Sequence, residues 1–238
     1  MKKLLLLILS LALTTNLFAQ KKVKGNGKMT TITRTTDSYD TVSCAGSFDY
    51  ILVAGKEGNI TLEGEENILE YIETKVKDGK LLVAVKDGIN LRTSSNKTVK
   101  ITIPFKDIDQ VGLTGSGDLW NKDIITADAF VAHLSGSGDM TLTLNTQSAD
   151  GKLAGSGNLI FKGSTNSLGV SVAGSGDFQG FEFEANHTTV SVSGSGDAEV
   201  VSNQSLKARV AGSGNIEYKG NPEKEDTNVA GSGSIKSK

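Results

Sequence analysis

His133, Asp150 and Lys152 are the residues of this chain whose types best suit a catalytic set, a base, an acid and a cation within twenty positions. Glu199 and Glu217 form a second candidate, since paired carboxylates about 5 Å apart are what retaining glycosidases place around the bond they cleave. His187 has no second histidine near it in sequence, so its type and setting do not support a metal site. Cys44 is the only cysteine; without a disulfide partner it reads as a small buried apolar residue rather than a nucleophile. Trp120, the only tryptophan, suits either stacking on a sugar ring or sealing an internal interface. No Ser-His-Asp or Cys-His arrangement stands out.

The stretch LAGSGNLIF, residues 153–161, offers a Gly-Ser-Gly loop of the kind that cradles phosphate through exposed N–H groups. Such a loop needs a helix directly behind it, and Asn-Leu-Ile-Phe has the composition of a strand. The triplet also recurs: Gly115, Gly136, Gly155, Gly174, Gly194, Gly212 and Gly231 each begin Gly-Ser-Gly, at intervals of 21, 19, 19, 20, 18 and 19 residues. One phosphate requires one loop, whereas a period near 19 is the mark of a solenoid whose units bury their apolar faces against one another.

Alignment on the first glycine exposes the packing. Two positions before it stand Leu113, Leu134, Leu153, Val172, Val192, Val210 and Val229, and four after it Leu119, Met140, Leu159, Phe178, Ala198, Ile216 and Ile235. Polar residues such as His133, Lys152, Ser171 and Arg209 alternate with the first column, so they face outward with a period of two. Each unit therefore supplies two short strands flanking a glycine corner, in the manner of a parallel β-helix or similar β-solenoid of about seven rungs, roughly 4.8 Å apart. The glycines turn the corner where side chains of adjacent rungs collide. Asp118, Asp139, Asn158, Asp177, Asp197 and Asn215, each directly after a triplet, suit capping of backbone N–H groups at the turn. A calcium ladder fits poorly, because the spacing departs from nine-residue calcium-binding repeats.

The start of the chain has Lys2 and Lys3, an apolar run from Leu4 to Leu13, and Ala19 at a cleavable position, which together read as a signal peptide over residues 1–19. That run is short for a membrane span, and the mature chain offers no other. Residues 20–36 are polar and basic and are expected to be a flexible lead-in; 37–110 read as a β-rich N-terminal cap with first coils, containing an Asp78-Gly79 hairpin turn and helical potential in NILEYIE; 111–238 form the repeat. A cap is required because an open solenoid end exposes backbone and apolar columns. A formal net charge of -2 and 5% aromatic residues give no footprint for nucleic acid.

The VSCAGSFDYILVAG entry, ENILEYIETKVKDGKLLVAV, KITIP and the recurring apolar-x-apolar-small-GSG-Asp/Asn-apolar unit resemble the putative auto-transporter adhesin, head GIN domain family, over roughly residues 37–236. The resemblance implies a β-solenoid in the envelope or exterior of Gram-negative bacteria, and no family motif carries a chemistry. Because a rung, Gly231 to Lys236, lies at the end of the chain with no barrel sequence after it, the chain is not expected to be an autotransporter by itself.

The leading expectation is an exported, non-enzymatic, adhesin-like interaction or scaffold protein, without cofactor or metal. Its partner would be an envelope or extracellular polymer such as a glycan, or a protein, with Trp120, His133 and Lys152 as candidate contacts. The alternative is a polysaccharide-active β-helix enzyme, a lyase or glycoside hydrolase working through one of the two ionisable clusters. Export is checked by mass spectrometry of protein secreted by an expressing cell: Gln20 is expected as the first residue, and an intact Met1 on exported protein would exclude the signal peptide.

Overall fold

At each Gly-Ser-Gly triplet two backbones pass closer than any side chain allows. A Cβ placed on the first or second glycine of a triplet would lie 1.8–2.4 Å from a carbonyl oxygen of the rung before it. The first glycine is also held at φ between +125° and +137°, a region L side chains rarely adopt. What the close approach permits is a repeated hydrogen bond: each first-glycine carbonyl accepts the N–H groups of the serine and the second glycine of the next rung, at 2.8–3.2 Å, from Gly46 through to Gly212.

The computed structural model describes residues 20–238, so the expected signal peptide at 1–19 lies outside the described residues. Before the first triplet come β1 (Lys21–Lys24), β2 (Met29–Thr35), β3 (Thr41–Gly46), β4 (Asp49–Ala54), β5 (Asn59–Glu65), β6 (Ile72–Lys77), β7 (Lys80–Val85), β8 (Ile89–Arg92) and β9 (Lys100–Phe105), with one helical turn, α1 (Glu66–Leu69), after β5. The repeat supplies β10 (Gln110–Gly115), β11 (Asp118–Asn121), β12 (Ile125–Gly136), β13 (Met140–Gly155), β14 (Asn158–Gly174) and β15 (Asp177–Gly194). It ends with β16 (Ala198–Val201), β17 (Ser205–Gly212), β18 (Asn215–Lys219), β19 (Lys224–Gly231) and β20 (Ser234–Ser237).

Successive rungs pair in parallel with the triplets in register, Gly115 on Gly136 on Gly155 and so on to Gly231, giving a solenoid of about seven turns. Register fixes the inward columns. Leu113, Leu134, Leu153, Val172, Val192 and Val210 are each at most 2% exposed. Burying one such aliphatic side chain contributes about 1.5 to 3 kcal/mol, enough for the stack to stand without disulfides. Size is balanced across columns: Gly151 leaves room for Phe161 and Phe178, whose rings lie 3.3 Å from where its Cβ would be and pack edge to face.

An additional corner lies ahead of the repeat. β3 and β4 flank Gly46 (φ +130°) and pair with β10 and β11, setting Gly46 against Gly115 and Asp49 against Asp118. Phe48 stands where every later corner has glycine. It fits because the pairing of β3 with β7 stops at Cys44, so no corner backbone lies beneath it. Cys44 itself belongs to the inward column under Leu113, and burial pushes its thiol's proton affinity well up.

The cap closes this end with antiparallel pairs, β2 on β5, β5 on β9 and β6 on β7, the last turning at Asp78 (φ +51°) and Gly79 (φ +73°) as a two-residue primed hairpin. Ile60, Leu62, Ile68, Leu69 and Ile72 beneath it are at most 1% exposed.

The lead-in expected to be flexible over residues 20–36 is instead structured. β1 pairs in parallel with β8, and β2 spans the whole of β5. The physical reason is a clasp remote in sequence: the buried Glu65 carboxylate accepts the Gly27 N–H at 2.6 Å and the Ser94 N–H at 2.9 Å, together with the Ser94 hydroxyl. Burial raises its proton affinity, but the Ser94 and Gly27 hydrogen bonds and the charge of Lys97 outweigh it and hold Glu65 below the usual carboxylate range. Arg34 of β2 adds donors to the Leu69 and Ile72 carbonyls where α1 ends.

Valine at Gly174, a central corner, should destabilise the protein by more than about 3 kcal/mol, because it opposes both the required φ and the Gly155 carbonyl. Valine at Gly231 meets the equivalent carbonyl, Gly212 O at 2.1 Å, but disturbs a rung that among the described residues has a neighbour on one side only, and its smaller loss should show as a higher melting temperature than that of Gly174→Val.

Candidate functional site

The corner divides the outward surface into two faces. Before it, register aligns Ser43, Gly112, His133, Lys152, Ser171, Ser191, Arg209 and Asn228 in one row. After it, a second row starts from Ile51, which the cap end buries, and runs outward through Trp120, Thr141, Ile160, Gln179 and Glu199 to Glu217 and Lys236. Trp120 therefore lies on a different face from His133 and Lys152, and the three do not form one contact patch.

His133 and Lys152 are register neighbours, while Asp150 is one column over, paired with Val131 and Gly169. Partial burial lowers the His133 proton affinity, as do Lys152 and Lys80, against a smaller opposing effect of Asp150. The imidazole has the Lys152 side chain on the next rung and no carboxylate bonded to it to orient its ring. The set lacks the mutual geometry that acid–base work needs.

Glu199 and Glu217 are also register neighbours, but Lys238 Nζ lies 3.9 Å from one and 3.1 Å from the other. The two carboxylates sit side by side on one face, shared by a single cation, rather than flanking a cleft. His187 lies within β15, facing out with its Nδ1 2.9 Å from Ser205 Oγ. Strand pairing continues through EANHTT because Thr165 and Ala185 keep their place in a buried column there.

The Asp and Asn residues after the triplets bond between rungs rather than within their own turns. Asp118 Oδ1 accepts the Asp139 N–H, Asp139 that of Asn158, Asp177 that of Asp197 and Asp197 that of Asn215, at 2.7–3.2 Å. Each carboxylate thus spends one oxygen on the stack. Among the described residues no group of three or more His, Cys, Asp and Glu side chains is placed to hold a metal ion.

Concave features are shallow. Four of the most pronounced depressions, of 270–470 Å³, lie on or beside the cap, and a fifth of 240 Å³ lies beside His187. Neither ionisable cluster sits in one of them.

Sequence reasoning missed a bulge on the second face. Between β14 and β15 the register slips after Ile160, so that Gly180 and Phe181 together oppose Phe161. Phe181 is half-buried at the surface, with Lys219 Nζ 4.1 Å and Lys238 Nζ 4.8 Å from its ring centre. The only signal was the 20-residue interval from Gly174 to Gly194, longer than the 19 residues before it and the 18 after it.

The profile of the family described as "Putative auto-transporter adhesin, head GIN domain" matches residues 38–222. The chain belongs to this family. Among curated proteins nothing matches it. A crystal structure of a putative adhesin from Bacteroides fragilis superposes with a TM-score of 0.81 at 23% identity, covering 91% of this chain and all of the other. A structure from Parabacteroides distasonis described as a putative lipid binding protein gives 0.78 at 26% identity over 92% of this chain and all of that one. A putative adhesin from Parabacteroides merdae gives 0.73 at 21% over 92% of this chain and 99% of its own. These likenesses extend through the cap as well as the rungs. No helix among the described residues is long and apolar enough to cross a membrane.

Replacing His133, Asp150 or Glu199 singly by Ala should change stability by less than about 0.5 kcal/mol, as expected of outward residues. Leu153→Ala should cost about 2 to 5 kcal/mol by emptying a buried column. Chemical denaturation of the four variants measures both.

Proposed function

We propose that the protein is an exported, non-enzymatic, adhesin-like module that holds an envelope or extracellular polymer against the flat face after the corners. The observation that carries this reading is the row Trp120, Thr141 and Ile160, which places an aromatic ring beside hydroxyl and aliphatic side chains on a parallel sheet, with Ile51 buried at its cap end. Such a face suits a glycan, whose sugar rings stack on aromatic surfaces and whose hydroxyls exchange hydrogen bonds with Thr and Gln. Support comes from the family's adhesin description and from the placement of both ionisable clusters outside the pronounced depressions of the surface. The lipid-binding description belongs to the Parabacteroides distasonis neighbour; the pronounced depressions among the described residues here are open rather than enclosed, and the glycan reading is preferred.

A glycan and envelope-extract binding screen with the mature protein, followed by variants, tests the reading. Trp120→Ala should weaken the strongest interaction about tenfold, equivalent to ~1.4 kcal/mol, without lowering the melting temperature. Lys152→Ala, on the other face, should leave it unchanged. Equal binding by both variants would exclude this face. Cleavage of an acidic polysaccharide that Glu199→Ala or Asp150→Ala abolishes would replace the module with an enzyme.

A further inference from the structure

The rung made by β19 and β20 differs from those beneath it. Its corner is stacked normally, with the Ser232 and Gly233 N–H groups on the Gly212 carbonyl. Among the described residues, however, nothing pairs with its other edge, and all eight residues of β19 are exposed. Val229 is 41% exposed where Val210, directly beneath it in the same column, is 2% exposed.

The inward columns change character at this rung. Leu206 gives way to Glu225, Ala208 to Thr227 and Tyr218 to Ser237; only Val229 and Ile235 continue an apolar column. In the rung beneath, Leu206 and Ala208 are at most 2% exposed, so Glu225 stands on a column that is otherwise core. It is held there. Tyr218 donates its hydroxyl to Glu225 Oε1 at 3.0 Å, and Arg209 pins the adjacent residue by donating to Asp226 Oδ2 at 2.5 Å and to the Asp226 carbonyl at 2.7 Å.

We infer that this rung is a built-in terminal cap that stops the stack from being extended, above all by the same rung of a second copy. An exposed edge strand is a template for further pairing, and proteins blunt such edges by turning charges inward. A rung laid on this one would drive the Glu225 carboxylate into an apolar column with only the Tyr218 hydroxyl to compensate, a costly burial. The other end of the solenoid cannot receive this edge, because antiparallel β2, β5 and β6 cover it and offer no matching parallel corner. End-on association is thereby reduced to a tail-to-tail contact. Two-fold symmetry would make that contact bury both Glu225 carboxylates at once. Residue types mark this rung as terminal, and they leave the lateral faces as the surfaces free to adhere.

Sedimentation equilibrium of the full exported chain, from micromolar to hundreds of micromolar, tests the inference. The native chain should remain monomeric. Glu225→Leu combined with Thr227→Val should dimerise with an association constant at least about tenfold higher. In that background Val229→Cys should cross-link the dimer under oxidation, native Cys44 being buried, which identifies the tail-to-tail contact. Circular dichroism confirms that the fold is kept. Glu225→Gln, which removes only the charge, should associate measurably should the double variant fail to fold. A native chain that dimerises and cross-links through Val229→Cys as readily as the variant would overturn the inference, and so would folded variants that stay monomeric at every concentration.

Discussion

The structure depends on one contact, the approach of each corner carbonyl to the two N–H groups of the next rung. That approach leaves no room for a Cβ at either glycine of the triplet, and it is made at every corner from Gly46 to Gly231. Once the corners are locked in register, the period-two alternation of the flanking strands sorts the remaining side chains into inward and outward rows. The aliphatic columns, the Asp and Asn bonds between rungs and the flat outer faces all follow from it. Substitutions in the outer rows leave this contact intact, so the scaffold can change its surface without changing its fold.

Much of this was legible in the residues because a solenoid repeats its local physics. Seven copies of one triplet, each with an aliphatic residue two before and an apolar one four after, specify corner, register and core together. Gly46 escaped notice because Phe48 replaces the second glycine, and only the absence of backbone beneath that corner makes Phe acceptable. The order of residues 20–36 was hidden for a different reason: it depends on the Glu65 carboxylate meeting Gly27 and Ser94, partners 38 and 29 positions away, which no local pattern announces. Terminal exposure of Val229 and the inward placement of Glu225 likewise required knowing what lies on each side of the last rung.

The candidate chemistry was less legible than the fold. The period grouped His133, Asp150 and Lys152 as outward residues of neighbouring rungs, yet register puts Asp150 one column over and sets Lys152 directly against His133. Glu199 and Glu217 did come together as the period required, but Lys238, invisible to any repeat argument, sits between them. Residue types suggest chemistry; convergence in three dimensions decides it, and a stack of parallel rungs lines outward side chains up in rows rather than around a cleft. What the geometry offers instead is area, a long rigid surface whose rows repeat every rung.

Hydrogen exchange at the corners tests the central claim most directly. If the carbonyl-to-two-N–H contact organises the solenoid, the Ser156, Gly157, Ser175 and Gly176 amides should exchange as slowly as those of the flanking strands, through global unfolding only. Exchange of these four amides at the rate of an open loop, with the neighbouring strand amides still protected, would show that the corners merely connect the strands and would contradict the account.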